Sequence, residues 1–168
     1  MDYETIILFI VMFVLMIILY LSLLWYVMTK TFHIVVEMDF DLDNVKYYAP
    51  TISKDVRGIE KLTVSVTGTV RDGTVMKNDK LRDLVNEHVL IDLNNCIVTN
   101  TKDIYAIPGD YDTNSVKIFP LKSFATKEKI GEYVHYKLKS ALKEYKVKVE
   151  SIKLKDSKGE TIRVYGRL

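Results

Sequence analysis

Apolar positions recur along this 168-residue chain in three rhythms: an unbroken run, every second residue, and every third or fourth. The unbroken run is IILFIVMFVLMIILYLSLLWYVM, from Ile6 to Met28, and it contains no charged side chain. At about 1.5 Å per residue, a helix of this stretch would reach across a ~30 Å hydrocarbon layer, so the run predicts one transmembrane helix. Asp2 and Glu4 precede it, unlike the basic start of a cleaved signal peptide. Tyr3 flanks one end and Trp25 and Tyr26 the other, where amphipathic rings favour an interface. Lys30 and His33 follow. That bias predicts a single-pass protein of the cell membrane, with an anchor over 1–30 and a cytoplasmic domain over 31–168.

The second rhythm starts at once. Ile34, Val36, Met38, Phe40 and Leu42 alternate with Glu37, Asp39, Asp41 and Asp43, and Leu62, Val64, Val66 and Val70 alternate with Lys61, Thr63, Ser65, Thr67 and Arg71. Two half-buried strands are predicted, paired antiparallel so that the acidic row meets the Lys, Thr and Arg row. A helical period follows, with Asp79 as N-cap and Leu81, Leu84, Val85, His88 and Val89 on one face. From Asn94 to Ser123 the pattern dissolves into a loop-rich stretch, with a Pro108-Gly109 turn and a short extended piece around Val116, Ile118 and Phe119-Pro120. Thr126 can cap a second helix bearing Ile130, Val134, Leu138, Ala141, Leu142 and Tyr145. Val147, Val149, Ile152 and Leu154, a Ser157-Lys158-Gly159 turn, then Ile162 and Val164 predict a closing hairpin with a bulge at Glu150-Ser151. The expected fold class is α+β, with order ββααββ and helices on one face of an antiparallel sheet.

Composition narrows the function classes. About 140 residues beyond the apolar run suffice for one domain with a core. All 24 Lys and Arg follow that run, as do all but two of the 22 Asp and Glu. This modest positive balance is spread evenly and gives no nucleic-acid surface. Cys96 is the one cysteine, which excludes an internal disulfide and fits a small buried hydrophobe. Asp39-x-Asp41-x-Asp43 resembles a calcium loop, but Asn44 stands where that loop needs Gly and Pro50 where it needs Glu. His33, His88 and His135 lie in three different elements with no metal spacing. Tyr47-Tyr48, Tyr105 and Tyr111 suit both packing and an interface, with packing the default for each. No phosphate loop, Rossmann glycine pattern or Ser-His-Asp order is present.

Several local words, taken in order, resemble the tunnelling-fold family of 6-pyruvoyl-tetrahydropterin synthases and carboxy-tetrahydropterin synthases over about residues 34 to 166. Phe40-Asp41-Leu42-Asp43-Asn44 is similar to the family's Phe-x-Ala-x-His strand end. Ser53 falls at its catalytic Cys, and Arg57-Gly58-Ile59 at its His-Gly-His turn. Gly73-Thr74-Val75-Met76-Lys77-Asn78 resembles the step into the first helix, and Leu93-Asn94-Asn95 the Leu-Asp-His before the long loop. Ala125-Thr126-Lys127-Glu128-Lys129 resembles the second helix start. Ile152-Lys153-Leu154-Lys155-Asp156-Ser157 resembles the last strand, with Asp156 where the family's Glu anchors a pterin ring.

The resemblance implies a zinc-dependent pterin enzyme, and the residues at its site depart from one. Three imidazoles would hold the metal, yet Asn44, Arg57 and Ile59 stand there, and an amide is a poor ligand while a guanidinium and an alkane are none. Ser53, Asn94 and Asn95 retain no thiol, base or acid for proton transfer. No metal, cofactor or catalytic residue is therefore expected. The expected function is a membrane-anchored, catalytically degenerate pterin-synthase-like pseudoenzyme, a structural or binding subunit of a membrane complex. The family architecture implies a homo-oligomer in which strand edges close into a barrel with polar faces lining a tunnel. The alternative is a pterin- or purine-binding enzyme or sensor with non-classical chemistry, using Asp156, Glu128 and Arg57.

Overall fold

The computed structural model describes residues 3–29, 33–70, 75–108 and 116–166. Arg71, the Gly73-Thr74 step, Gly109 of the expected turn, Tyr111, Lys30 and the His33 side chain lie outside the described residues. The chain divides into two compact units, Met1–Phe32 and His33–Leu168.

The first unit contains helix α1, Tyr3–Thr29. Among the described residues no helix is long and apolar enough to cross a membrane. That finding overturns the expected cell-membrane, single-pass localisation.

The second unit is built on one six-stranded sheet. Its strands are β1 (His33–Tyr48), β2 (Arg57–Thr69), β3 (Cys96–Asn100), β4 (Lys117–Leu121), β5 (Val147–Asp156) and β6 (Thr161–Tyr165), in spatial order β4-β3-β1-β2-β5-β6. β1 and β2 pair antiparallel from His33↔Thr69 to Tyr47↔Arg57, with a register shift between Asp41 and Val45. Asp39 bonds Lys61 Nζ at 2.7 Å and accepts from Thr63 Oγ1 at 2.7 Å, so the acidic and basic rows do face each other. β5 continues the antiparallel order beside β2, and Glu150 is the extra residue where Ser65↔Ser151 steps to Val66↔Val149. The sheet departs from the wholly antiparallel expectation on its other side, where β1 pairs β3 and β3 pairs β4 in parallel. β3 was hidden in a stretch expected to be loop, because all five of its residues are buried and a strand buried on both faces shows no alternation.

Helices cover one face. α2 (Asn78–Val85) runs through a π-helical turn, Asn86–Leu90, into α3 (Ile91–Leu93), and α4 spans Lys127–Leu142. Asp79 lies in the first turn of α2, preceded by Lys77 at the cap without a side-chain bond, whereas Thr126 does cap α4 by accepting from the Lys129 amide at 3.3 Å. Leu81, Val85, Val89, Leu93, Ile130, Val134, Leu138 and Leu142 pack on Leu62, Val64, Val66, Ile152 and Leu154 in a continuous core. Each such side chain contributes about 1.5–3 kcal/mol by leaving water.

Gly131 sets how closely α4 approaches β6. A Cβ there would lie 2.7 Å from Val164 Cγ2 and 3.4 Å from Val164 Cβ. Gly131→Ala therefore lowers stability by about 1 kcal/mol, despite a similar gain in helix propensity. In a Val164→Ala background the same change becomes stabilising, giving a coupling of about 1 kcal/mol or more in a urea double-mutant cycle. Additive effects would show that the approach of α4 to β6 is set elsewhere.

Candidate functional site

The start of α4 meets the β5–β6 turn through a buried ion pair. Lys127 Nζ lies 2.8 Å from Asp156 Oδ2 and 3.1 Å from Glu160 Oε2. The Lys127 side chain is 9% exposed and that of Asp156 is 1% exposed. Asp156 Oδ1 also accepts from the amides of Glu160 at 2.8 Å and Lys158 at 3.0 Å, so one carboxylate fixes both the turn and the helix start. Gly159, at φ +83, completes that turn in a conformation that suits glycine. Burial alone pushes the Asp156 carboxyl upward, but Lys127 and the two amides outweigh it and hold the group below its ordinary value. Burial likewise works against the Lys127 ammonium, and its carboxylate partners outweigh it and raise its pKa.

Beside this pair opens a cavity of about 310 Å³, whose walls include Tyr47, Ser53, Arg57, Lys127, Glu128 and Glu160. Three residues singled out in the sequence therefore meet here: Ser53, Arg57 and Glu128. Arg57 begins β2 opposite Tyr47, and its pKa is raised by the Tyr47 side chain first and by Glu160 and Asp156 more weakly. The Arg57 Nε is buried and makes no hydrogen bond among the described residues. Ser53 donates its amide to the Ala49 carbonyl at 2.9 Å and accepts the Asp55 amide on Oγ at 3.1 Å, which closes a local turn.

The other family-site positions are occupied structurally. Asn44 sits in the β1 irregularity at φ +48, and Asn95 is left-handed at φ +54, a conformation asparagine tolerates better than most residues. Asp43 ties the two segments together, its amide donating to Asn94 Oδ1 at 3.3 Å and its Oδ2 accepting from Asn95 Nδ2 at 3.1 Å. Ile59 is 2% exposed in the core and pairs with Val45 and Asp156. An amide, a guanidinium and a core alkane do not fit a zinc ion. Among the described residues no group of three His, Cys, Asp or Glu is placed to hold a metal.

Cys96 is fully buried, which pushes its thiol up to about 12 and leaves it unreactive. His135 is half-buried, bonds the Val149 carbonyl, and has its pKa lowered by burial and by Lys139. Sequence reasoning missed Glu160, named Tyr47 only as a packing or interface ring, and named Lys127 only as part of the second helix start. One signal was readable: a lysine in a helix's first turn opposes the helix dipole and implies a compensating partner.

Asp156→Asn leaves the Lys127 ammonium buried with one exposed carboxylate partner, and loss of a buried counter-charge costs about 3 kcal/mol or more. The Asp156 contribution is present above the ordinary carboxylate value of 3.8 and fades as pH falls through the lower folded value. Urea unfolding of the full-length protein should show a gap between wild type and Asp156→Asn of about 3 kcal/mol at pH 7, and the gap should narrow as pH falls below the ordinary carboxylate value of 3.8. A gap below about 1 kcal/mol at pH 7 would mean that the pair does not secure the α4 start.

No family model matches the sequence, and no curated protein does. Solved structures do match. The 6-pyruvoyl tetrahydropterin synthase of Plasmodium vivax superimposes with a TM-score of 0.57 at 15% identity, covering 80% of this chain and 99% of that one. The enzyme of Plasmodium falciparum gives 0.54 at 18% identity over 80% and 99%. An uncharacterised protein of Wolinella succinogenes gives 0.54 at 16% identity over 81% and 98%. The chain thus carries the 6-pyruvoyl tetrahydropterin synthase-like tunnelling fold, at an identity that marks wide divergence.

Proposed function

We propose that this protein is a catalytically degenerate relative of the pterin synthases that acts as a structural or binding subunit. The observation that carries the reading is the Asp156 carboxylate. At the position where the resemblance puts a pterin anchor, both oxygens are already engaged by Lys127 and by two turn amides. A ligand's donor edge would have to displace a buried ammonium to reach it. The three metal positions reinforce this, since Asn44, Arg57 and Ile59 supply no zinc ligand set. As a subunit, the domain would join further copies or other chains through β4 and β6, the outer strands of the sheet, each of which pairs with one strand only among the described residues.

A second reading keeps a pterin or purine in the 310 Å³ cavity, held by Arg57 and Glu128 without Asp156. The buried, unbonded Arg57 Nε favours it, because such a donor lacks a partner that a ligand could supply.

Purified full-length protein should hold substoichiometric zinc after equilibration with the metal and should not turn over a dihydroneopterin triphosphate-type substrate. Stoichiometric zinc with turnover would overturn the degenerate reading. A thermal shift with a pterin or purine that is lost in Arg57→Ala would establish the second reading, and no shift would remove it.

A further inference from the structure

We propose that the far end of α4 carries a second site, for a phosphate-bearing small molecule. There a cavity of about 720 Å³ is lined by His135, Lys139, Lys143 and Lys146 with the buried Val147 and Val149, and by Lys148 from the other face of β5. This volume lies within the roughly 300–1,000 Å³ of small-molecule sites. Lys139 comes from the last turn of α4, Lys143 and Lys146 from the connection after it, and Lys148 from the start of β5. Among the described residues Glu150 is the one acid on the lining.

Two observations make this more than a solvated basic face. Among the described residues none of the four cavity lysines forms an ion pair, although they are gathered at one concave surface. Like charges gathered at a concave surface repel one another and focus a positive potential into it, so the missing counter-charge suits a bound anion. Lys146 is also held left-handed, at φ 57 and ψ 29, where a chain leaving a helix usually places Gly or Asn. A lysine there carries backbone strain with no ion pair of its ammonium among the described residues, and strain of this kind is concentrated at functional positions.

Burial and Lys139 lower the His135 pKa, so at neutral pH the lysines supply the charge and the imidazole stays neutral. Val147 and Val149 add apolar surface to the cavity that inorganic phosphate does not need. An organic phosphate, with its charged group among the lysines and its body on the valines, therefore fits better than the free ion. This site lies at the opposite end of α4 from the Arg57 cavity and does not rest on the proposed function.

The test uses the full-length protein in calorimetric titrations with ADP and with inorganic pyrophosphate at low ionic strength. Both should bind, ADP more tightly, and both should weaken as salt rises. Lys146→Gly should raise the melting temperature by a few degrees, because glycine relieves the left-handed strain, while weakening both ligands about fivefold. Lys129→Gln, on the outer face of α4, should leave binding unchanged. No binding of either probe, or equal weakening by Lys129→Gln, would overturn the site. ADP binding no tighter than pyrophosphate would overturn the organic-phosphate assignment.

Discussion

The contact between Lys127 and Asp156 decides what the candidate site is. Taking both charges out of water is costly, so the pair persists only because Asp156 is also saturated by two amides and Lys127 reaches a second carboxylate. Once formed, it fixes the start of α4 against the β5–β6 turn. That junction aligns the stripe Ile130, Val134, Leu138 and Leu142 over β2 and β5. It also places a finished ion pair where the pterin-synthase resemblance would leave an open carboxylate.

The remaining departures from that resemblance follow the same logic. Positions that would carry metal ligands or proton-transfer groups are taken up by ordinary structure. Asp43 binds Asn94 and Asn95, Ile59 fills the core, and Ser53 closes a local turn. These contacts stabilise the scaffold without asking it to do chemistry. Arg57 is the exception, since its buried Nε makes no hydrogen bond among the described residues.

The sequence made the alternating strands legible because one face of β1, β2 and β5 is buried and the other is polar. The Thr126 cap, the α4 stripe, the Glu150 bulge and the closing hairpin were legible for similar local reasons. β3 was not, since Cys96-Ile97-Val98-Thr99-Asn100 is buried throughout and loses the two-residue period. The parallel pairing of β1 with β3, and hence the mixed sheet, was lost with it. The turn at Asn86–Leu90 is π-helical, so a 3.6-residue count runs out of phase across it. The apolar run at the start predicted a membrane span, which the described residues of α1 do not carry. The Lys127–Asp156 pair lies beyond local pattern altogether, because its partners are 29 residues apart.

The most direct test of the account is nitrogen-resolved NMR of the lysine ammonium groups in the full-length protein. A buried, bonded Lys127 ammonium should give a slowly exchanging signal that disappears in Asp156→Asn and does not move when zinc and a pterin are added. A Lys127 signal displaced by either addition, with a new contact to Asp156, would contradict the claim that the site is closed by the protein's own charges.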